Sequence, residues 1–439
     1  MAPPPLLFLL SSFFFITIPL FPSLSQATVP AAAQFSYTNA GEFGPYIVEY
    51  DASYRILPIA RTPFQLFFYN TTPTAFTLAV RMGMQRSEAT RRFVWEANRG
   101  NPVGENATFS FGSDGNLVLA HQNGTVAWES GTKRNAVVRF EMLQTGNMVL
   151  YDAVGRVVWQ SFDYVTDTLL VGQSLRVGSK LVSRVSEGAN ENGPYSLVLE
   201  PSRIALYYTT ENTPKPYPYF TFFDLSRSQG TLEKITMNPT LGFDYEVKNG
   251  YNGTGGGFKN PRYNSTLSYL RLGIDGNLRI FTYLITFEES GYEVHYWENT
   301  VTFFSEDDWW AVETKCQLPG RCGEFGVCRN SQCVGCPSAS GGLLGWSEDC
   351  RAPELGACGG KKGGFRYVEM AGIDHFTAKY SRGDGPVTKE SCAGKCGKDC
   401  KCKGYFYHTV SRRCWIAYEL GTMIRVDNST HLAYIKAPL

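Results

Sequence analysis

The chain has 439 residues and a formal net charge of +1. Its length exceeds that of one ordinary domain and predicts three or four domains. The near balance of charge, with no long run of one sign, argues against a nucleic-acid-binding surface.

Charge is nevertheless unevenly placed along the chain. Residues 358–439 carry 14 Lys and Arg against 7 Asp and Glu, so a basic tail follows an acidic body. Two interpretations stay open: a solvated surface with Lys-rich loops, or attraction to an acidic wall polysaccharide or a membrane.

Residues 1–27 are typical of a secretory signal peptide. An apolar run over residues 6–24 ends in Ser25-Gln26-Ala27, whose small residues suit signal peptidase, although no Lys or Arg precedes the run. A transmembrane anchor is the alternative, but Pro19 and Pro22 interrupt the run, which is shorter than the roughly 20 unbroken apolar residues of a span. We therefore expect a secreted, extracellular protein without a transmembrane anchor.

Six Asn-x-Ser/Thr sequons follow this leader, where an exported chain would receive N-linked glycans. They are at Asn70, Asn106, Asn123, Asn252, Asn264 and Asn428.

From about residue 32 to residue 162 the sequence alternates short apolar runs with turns rich in Gly, Asn and Asp. This pattern predicts β-strands, and no helical periodicity of useful length competes with it. Residues 115–119 are repeated almost unchanged 31 positions later, at residues 146–150.

Three tryptophans follow the same repeat. Trp128 recurs at Trp159, each followed two residues later by a serine, and Trp95 lies 33 residues before Trp128. A fixed period in a β-rich stretch predicts one supersecondary unit used three times around a shared core.

Residues 170–311 keep the strand-like pattern while the repeat fades. The segment 272–280 contains Asp275-Gly276-Asn277-Leu278, the same four residue types as positions 114–117. We therefore expect a second, diverged copy of the first domain.

All 12 cysteines follow residue 315. An even number behind a predicted signal peptide is typical of a disulfide framework. Zinc is the alternative, because Cys333 and Cys336 have ligand spacing, but no matching second pair exists and an oxidising compartment favours disulfides. We expect no metal and no cofactor.

The cysteine-rich region divides in two. Residues 316–350 hold six cysteines and are too few to bury a core, so this segment needs its disulfides to fold. Further on, Thr388 is the predicted N-cap of a short helix. Cys392 and Cys396, one turn apart, are expected to face a sheet that carries two more cysteines, Cys402 and Cys414.

Several of these segments resemble plant bulb-type (mannose-binding) lectin domains. Residues 95–103, 159–163 and 166–170 are similar to signatures of those domains, which also occur in S-locus glycoproteins and related receptor kinases. With residues 193–197 and 392–415, they make the chain resemble the plant epidermis-specific secreted glycoprotein family, which has a bulb-lectin region and a PAN/apple module but no kinase.

The resemblance implies a mainly β protein, with tandem bulb-lectin β-prism domains followed by a small disulfide-rich EGF-like segment and a PAN/apple α+β domain. Each prism is expected to have three four-stranded sheets around a pseudo-threefold axis, with the three tryptophans in its core. The expected segments are a signal peptide at 1–27, a bulb-type lectin domain at 28–165, a second, degenerate lectin-like (S-locus glycoprotein-like) domain at 166–312, the EGF-like segment at 316–350 and the PAN/apple domain at 355–439.

The resemblance also implies the disulfide pairing, which spacing alone leaves open because six cysteines allow 15 arrangements. The pairs expected by similarity are Cys316–Cys328, Cys322–Cys333, Cys336–Cys350, Cys392–Cys414 and Cys396–Cys402, with Cys358–Cys400 remaining by elimination.

Bulb-type lectins bind mannose through the motif Gln-x-Asp-x-Asn-x-Val-x-Tyr, whose alternate residues line one groove because they point to the same face of a strand. The first copy in this chain keeps Asp114, Asn116 and Val118, but Gly112 and Ala120 replace the Gln and the Tyr.

The second copy keeps the other end of the motif. It has Asn147, Val149 and Tyr151, preceded by Leu143 and Thr145. Each missing hydrogen bond is worth about 0.5–1.5 kcal/mol, so both copies are expected to bind sugar weakly, or to be ordinary turn and strand-end residues.

Catalysis is not expected, because the sequence has no nucleophile elbow, metal-binding His pair or phosphate loop. Asp307-Asp308 beside Trp309-Trp310 could serve a glycosidase, but adjacent strand residues face opposite ways.

Two functions therefore remain. The first is a lectin of the plant cell wall or apoplast that binds mannose-type glycans or glycoproteins. The second is a protein-interaction module that binds a receptor or a secreted hydrolase and whose sugar sites are vestigial. Retention in the wall through the basic tail is a third, weaker idea.

Overall fold

The fold was analysed in a computed structural model, which describes residues 28–44, 53–83, 92–224, 230–255, 267–287, 289–306, 313–338, 341–356, 358 and 364–439. The mainly β fold that the sequence predicts is confirmed: strands form eight sheets, and one α-helix is present in the described part of the chain. The predicted signal peptide and Asp307-Asp308 lie outside the described residues.

The first eleven strands form three sheets around one core. They are β1 Phe35–Thr38, β2 Ser53–Arg61, β3 Phe64–Thr72, β4 Ala75–Met82, β5 Arg92–Glu96, β6 Thr108–Phe111, β7 Leu117–Ala120, β8 Val126–Glu129, β9 Val137–Met142, β10 Met148–Asp152 and β11 Val157–Gln160. We call β1-β6-β7-β8 sheet 1, β2-β3-β4-β5 sheet 2 and β11-β10-β9 sheet 3.

The three predicted tryptophans meet where these sheets converge. Their ring centroids are 5.8 Å (Trp95–Trp128), 5.9 Å (Trp128–Trp159) and 6.5 Å (Trp95–Trp159) apart, each pair edge to face. Three equivalent residues from three sheets thus form a triangle about the pseudo-threefold axis, and this arrangement confirms the expected role of the tryptophans and the third copy of the repeat.

The repeated glycines are required by the turns that precede β7 and β10. Gly115 and Gly146 have φ of 76° and 83°, which disfavours any side chain. A Cβ at Gly115 would lie 2.7 Å from the side chain of Val137, and one at Gly146 would lie 2.6 Å from the ring of Phe64.

Sheet 3 differs from the expected four strands. It has three strands in the described residues, because the chain turns through a short 3-10 helix, Ser161–Asp163, and the next strand pairs elsewhere. That strand, Thr168–Leu170, joins Tyr269–Arg271 in the following domain. The end of the first prism is therefore also the beginning of the second.

In the described residues, the second prism has twelve strands in three four-stranded sheets. They are β12 Thr168–Leu170, β13 Ser174–Arg176, β14 Lys180–Ser186, β15 Ala189–Leu199, β16 Arg203–Tyr208, β17 Tyr217–Asp224, β18 Thr231–Met237, β19 Phe243–Lys248, β20 Gly253–Gly255, β21 Ser268–Leu272, β22 Leu278–Phe287 and β23 Glu293–Thr302. Sheet 4 is β12-β21-β22-β23, sheet 5 is β13-β18-β19-β20 and sheet 6 is β14-β15-β16-β17.

The C-terminal region forms two further sheets and the helix. Its elements are β24 Val327–Arg329, β25 Gln332–Pro337, β26 Leu343–Leu344, β27 Phe365–Ala371, β28 Ile373–His375, α1 Lys389–Lys398, β29 Gly404–His408, β30 Arg413–Ala417, β31 Met423–Arg425 and β32 His431–Pro438. The Thr388 side chain accepts a hydrogen bond from the Ser391 amide, so the predicted N-cap is confirmed. Cys392 and Cys396 are buried against β29, β30 and β32; of the two cysteines expected on this sheet, Cys414 lies on β30, whereas Cys402 lies in the turn before β29.

The two cysteine-rich segments are not independent of each other. β24, in the first segment, pairs in parallel with β31, in the second, and the sheet order is β26-β25-β24-β31-β28. The other sheet is β27-β32-β29-β30. A short segment that cannot bury its own core thus gains one by sharing a sheet.

Every cysteine is in a disulfide, and the pairs coincide with those implied by the resemblance. They are Cys316–Cys328, Cys322–Cys333, Cys336–Cys350, Cys358–Cys400, Cys392–Cys414 and Cys396–Cys402. Both cysteines of the alternative zinc motif are therefore used, and the described residues contain no group of His, Cys, Asp and Glu that could hold a metal ion.

Candidate carbohydrate-binding faces

The first copy of the sugar motif lies on the outer face of sheet 1. Val118 is directly opposite Ser110 on β6 and Glu129 on β8, so these three side chains form one row. Asp114 and Glu129 are exposed, whereas Val118 is half-buried. The outer face of sheet 1 is thus solvent-accessible, with polar side chains beside the apolar side chain of Val118, and Val126 is exposed further along it.

Asn116 belongs to the same motif but is committed to the fold. It is 2% exposed, and its Oδ1 accepts hydrogen bonds from the Ser130 hydroxyl at 2.9 Å and the Thr132 amide at 3.0 Å. Its Nδ2 donates to Glu129 Oε2 at 2.6 Å. These bonds tie the turn before β7 to the chain after β8.

The second copy, on sheet 3, repeats this arrangement. Asn147 is buried; its Oδ1 accepts from the Phe162 amide at 3.1 Å, and its Nδ2 donates to Gln160 Oε1 at 2.9 Å. Val149 is only 1% exposed, and Arg139 lies 4.3 Å from the centre of the Tyr151 ring. The apolar surface on which a sugar ring would pack is covered.

Sequence reasoning missed Glu129 and Gln160, the partners of the two asparagines. Each lies 13 residues after its asparagine and directly after a repeated tryptophan. The serines after them, Ser130 and Ser161, accept from the amides that follow the asparagines, at 3.0 and 2.9 Å. Alignment of the two copies over their full period would have revealed this connection.

The outer face of the third copy is covered in the part that the structure describes. On sheet 2 that face carries the aromatic cluster Tyr54, Phe67, Tyr69 and Phe93, which is buried. The second prism covers it: Asn190 Nδ2 donates to Thr77 Oγ1 at 2.7 Å and to the Tyr69 hydroxyl at 3.3 Å.

Buried charges hold the two prisms together beside this cluster. Arg99 donates to the carbonyl oxygens of Val182, at 2.8 Å, and Asn190, at 2.9 Å, and lies 3.6 Å from Asp167. Burial favours the neutral carboxyl, but Arg99 and Arg271 outweigh it and hold the pKa of Asp167 below its ordinary value. Asp167 is thus an ionised anchor between the prisms.

The second prism has a counterpart of the motif on sheet 4. Asn277 is buried and exchanges two hydrogen bonds with the backbone of Phe304, at 3.0 and 3.1 Å. Asp275 accepts from Arg279 at 2.9 and 2.5 Å. The asparagine is again a clamp for the turn, and the outer face bears a charged pair.

Five of the six sequons lie among the described residues, and they differ in exposure. Asn106, Asn123, Asn252 and Asn428 are exposed, whereas Asn70 is buried in β3 and its Oδ1 accepts from the Ser53 amide at 2.9 Å. Asn264 lies outside the described residues.

The basic C-terminal tail contains one lysine that is used inside the fold and two histidines that lie close together. Lys436 is buried and donates to the carbonyl oxygens of Cys396 and Asp399, at 2.7 and 2.9 Å, so this cation is used internally. His408 and His431, distant in sequence, have ring centroids 4.3 Å apart with their planes tilted by 48°, because β29 pairs with β32.

None of the helices in the described part of the chain has the length and apolar character that a membrane crossing requires.

The family model described as D-mannose binding lectin matches residues 92–186, which extend from β5 to the end of β14.

Similarity to known proteins extends over nearly the whole chain. EP1-like glycoprotein 3 of Arabidopsis thaliana is 42% identical over 96% of this chain and 96% of its own length. Epidermis-specific secreted glycoprotein EP1 of Daucus carota is 46% identical over 78% of this chain and 92% of its own. A G-type lectin S-receptor-like serine/threonine-protein kinase, SD2-5 of Arabidopsis thaliana, is 26% identical over 84% of this chain and 43% of its own. Taken with the bulb-type lectin repeat, these identities show that the chain belongs to the family of EP1-like, epidermis-specific secreted glycoproteins.

Proposed function

We propose that this protein is a non-enzymatic, lectin-like glycoprotein of the plant apoplast or cell wall, which binds mannose-type glycans or glycoproteins weakly. The proposed site is the outer face of sheet 1, with Asp114 as a hydrogen-bond acceptor for sugar hydroxyls and Val118 as the apolar contact for the ring. Asn116 supports this site by fixing the turn rather than by reaching the sugar.

The openness of sheet 1 is the observation that carries the proposal. Of the three faces of the first prism, sheet 2 is covered by the second prism and Val149 on sheet 3 is buried. Among the described residues of the motif copies, Val118 combines a half-buried apolar side chain with the exposed carboxylates of Asp114 and Glu129 beside it. Carbohydrate sites combine such polar acceptors with a small apolar surface.

Weak binding follows from the same contacts. The motif lacks its Gln and Tyr, and the Asn116 amide is already used by Glu129. Because Val149 of the second copy is buried and Val118 of the first is accessible, the described part of the first prism offers one such contact, and useful affinity would require a ligand that presents many mannose residues, or several protein molecules on one surface.

A glycan array with the full-length secreted glycoprotein tests this proposal. We expect binding to oligomannose, release by methyl-mannoside, and a loss of about tenfold or more in Asp114→Ala. Asp163→Ala removes an exposed carboxylate beside the second copy and serves as the matched control. Unchanged oligomannose binding in Asp114→Ala would contradict the site.

A protein-interaction role is the second candidate, in which a receptor or a secreted hydrolase is bound and the sugar faces are vestigial. The hairpin between β22 and β23 supports it, because Phe287 and Tyr292 are 73% and 74% exposed at its tip. This role would be favoured over the lectin if methyl-mannoside failed to release bound partners, and if those partners bound equally well after enzymatic deglycosylation.

A further inference from the structure

The counterpart of the sugar motif in the second prism has kept its scaffold and changed its chemistry. Gly273, Asp275 and Asn277 match Gly112, Asp114 and Asn116 in type and spacing. The position of Val118 is occupied by Arg279. A cation therefore stands where the first prism presents an apolar contact.

Arg279 borders a cleft of about 400 Å³ between the second prism and the disulfide segment. Asp275, Lys315 and Arg321 also line it, and Ile274, 37% exposed, adds an apolar wall. This volume is within the range of small-ligand sites.

The cleft carries an excess of positive charge. Asp275 is ion-paired with Arg279 at 2.5 Å, and although burial works against it, the hydrogen bond and charge of Arg279 hold the pKa of Asp275 below its ordinary value. Lys315 and Arg321 have no carboxylate within 4.0 Å among the residues that the structure describes; Arg321 donates to the carbonyl oxygen of Ser331 at 3.3 Å. Within the described part of the chain, two cations of the cleft therefore have no ion-pair partner.

We propose that this cleft binds an acidic saccharide, namely an oligosaccharide of uronic acid residues. Lys315 and Arg321 bind the carboxylate of one residue, Asp275 accepts a hydrogen bond from a neighbouring hydroxyl, and Ile274 packs against the ring. The ion pair of Asp275 with Arg279 fixes both side chains before the ligand arrives, which lowers the entropic cost of binding.

This site is separate from the proposed mannose face and from the basic tail at 358–439. It is built from sheet 4 and the segment 315–321, so it can exist whether or not sheet 1 binds mannose. The two sites also differ in chemistry, since the second depends on the charge of the ligand.

Calorimetric titration of the full-length glycoprotein with a uronate trisaccharide, and with its methyl ester, tests the proposal. The ester keeps the shape and removes the charge. We expect the acid to bind, the ester to bind at least about tenfold more weakly, and binding of the acid to weaken as salt is raised. Equal affinity for the ester, or full competition by inorganic phosphate at the same ionic strength, would overturn the proposal.

Two variant pairs locate the site. Lys315→Gln with Arg321→Gln should weaken binding of the acid about tenfold or more, whereas Arg176→Gln with Lys215→Gln, which removes two exposed charges elsewhere on the second prism, should not. Lys315→Arg keeps the charge and should retain binding, which separates loss of charge from loss of fold. An equal loss in both pairs would show general attraction to a positive surface and would also overturn the proposal.

Discussion

The two prisms use the same turn and present different outer surfaces. In each, a buried asparagine after an Asp-Gly pair clamps the chain, Asn116 through Glu129 and Ser130 and Asn277 through the backbone of Phe304. Outside this clamp, the first prism has Val118 and the second has Arg279. The asparagine of the sugar motif therefore has a structural role in both prisms, since it holds the turn. The residue two positions later differs in chemistry, apolar in the first prism and cationic in the second.

The largest expected effect concerns the contact between the prisms. Asp167→Ala removes the buried carboxylate that lies 3.6 Å from Arg99 and 4.0 Å from Arg271, leaving Arg99 with Glu96 alone at 3.4 Å, and it should lower the free energy of unfolding by about 3–5 kcal/mol. Thermal and urea unfolding of the variant would measure this loss. The exposed Asp163→Ala should change stability by less than about 0.5 kcal/mol. Similar values for both variants would mean that the prisms do not depend on this anchor.

The next effect is a pH dependence at the contact between the second prism and the C-terminal region. His375 is buried beside Phe376, and its burial lowers its pKa to about 4 from an ordinary value of 6.5. The unfolded chain therefore binds the proton more readily, so stability is complete above pH 6.5 and is lost as the pH falls toward 4. The loss is about 3 kcal/mol.

Urea unfolding between pH 7 and pH 4 measures this effect, with His375→Gln as the variant without a titrating ring. The difference between wild type and variant should shrink or reverse as the pH falls through this window. A difference that is constant with pH would contradict a buried neutral histidine.

Smaller losses of stability should follow removal of the asparagine that clamps the turn in each prism. The two losses allow a direct comparison of the prisms. Asn116→Ala and Asn277→Ala each leave buried polar partners unsatisfied and should cost about 1–3 kcal/mol of unfolding free energy. The measurement is the shift of the denaturation midpoint. If Asn116→Ala were neutral in stability while sugar binding was lost, Asn116 would be a sugar ligand and the two turns would not be equivalent.

The smallest effect on the fold concerns the glycans. Asn70 is buried and accepts from the Ser53 amide, so a glycan there would have to displace β2 from β3. We expect mass spectrometry of the secreted protein to find Asn70 unmodified while the exposed Asn123 and Asn428 carry glycans. Occupancy at Asn70 would mean that the edge of sheet 2 differs from this structure.

Much of the architecture could be predicted because it repeats. The 31-residue period and the three tryptophans are visible in the sequence, and the turn glycines show where each unit begins. The three-stranded sheet 3 could not be predicted, because nothing local to Thr168 shows that its strand pairs with Arg271, about a hundred residues away.

The candidate site was less predictable than the fold. Alternation along a strand shows that Asp114, Asn116 and Val118 share one face, but it does not show which of them solvent reaches. The exposure of each depends on neighbours supplied by other strands, such as Glu129 for Asn116 and Arg139 for Tyr151. The burial of the third copy depends on a whole second domain.

Methyl NMR of selectively labelled valines, recorded during titration with an oligomannose, is the decisive experiment for sugar recognition at sheet 1. We expect the Val118 methyl resonances to shift in a saturable manner while those of Val149, which is 1% exposed, do not. Shifts at Val149, or at neither valine when binding is independently established, would contradict the assignment of sugar recognition to the open face of sheet 1.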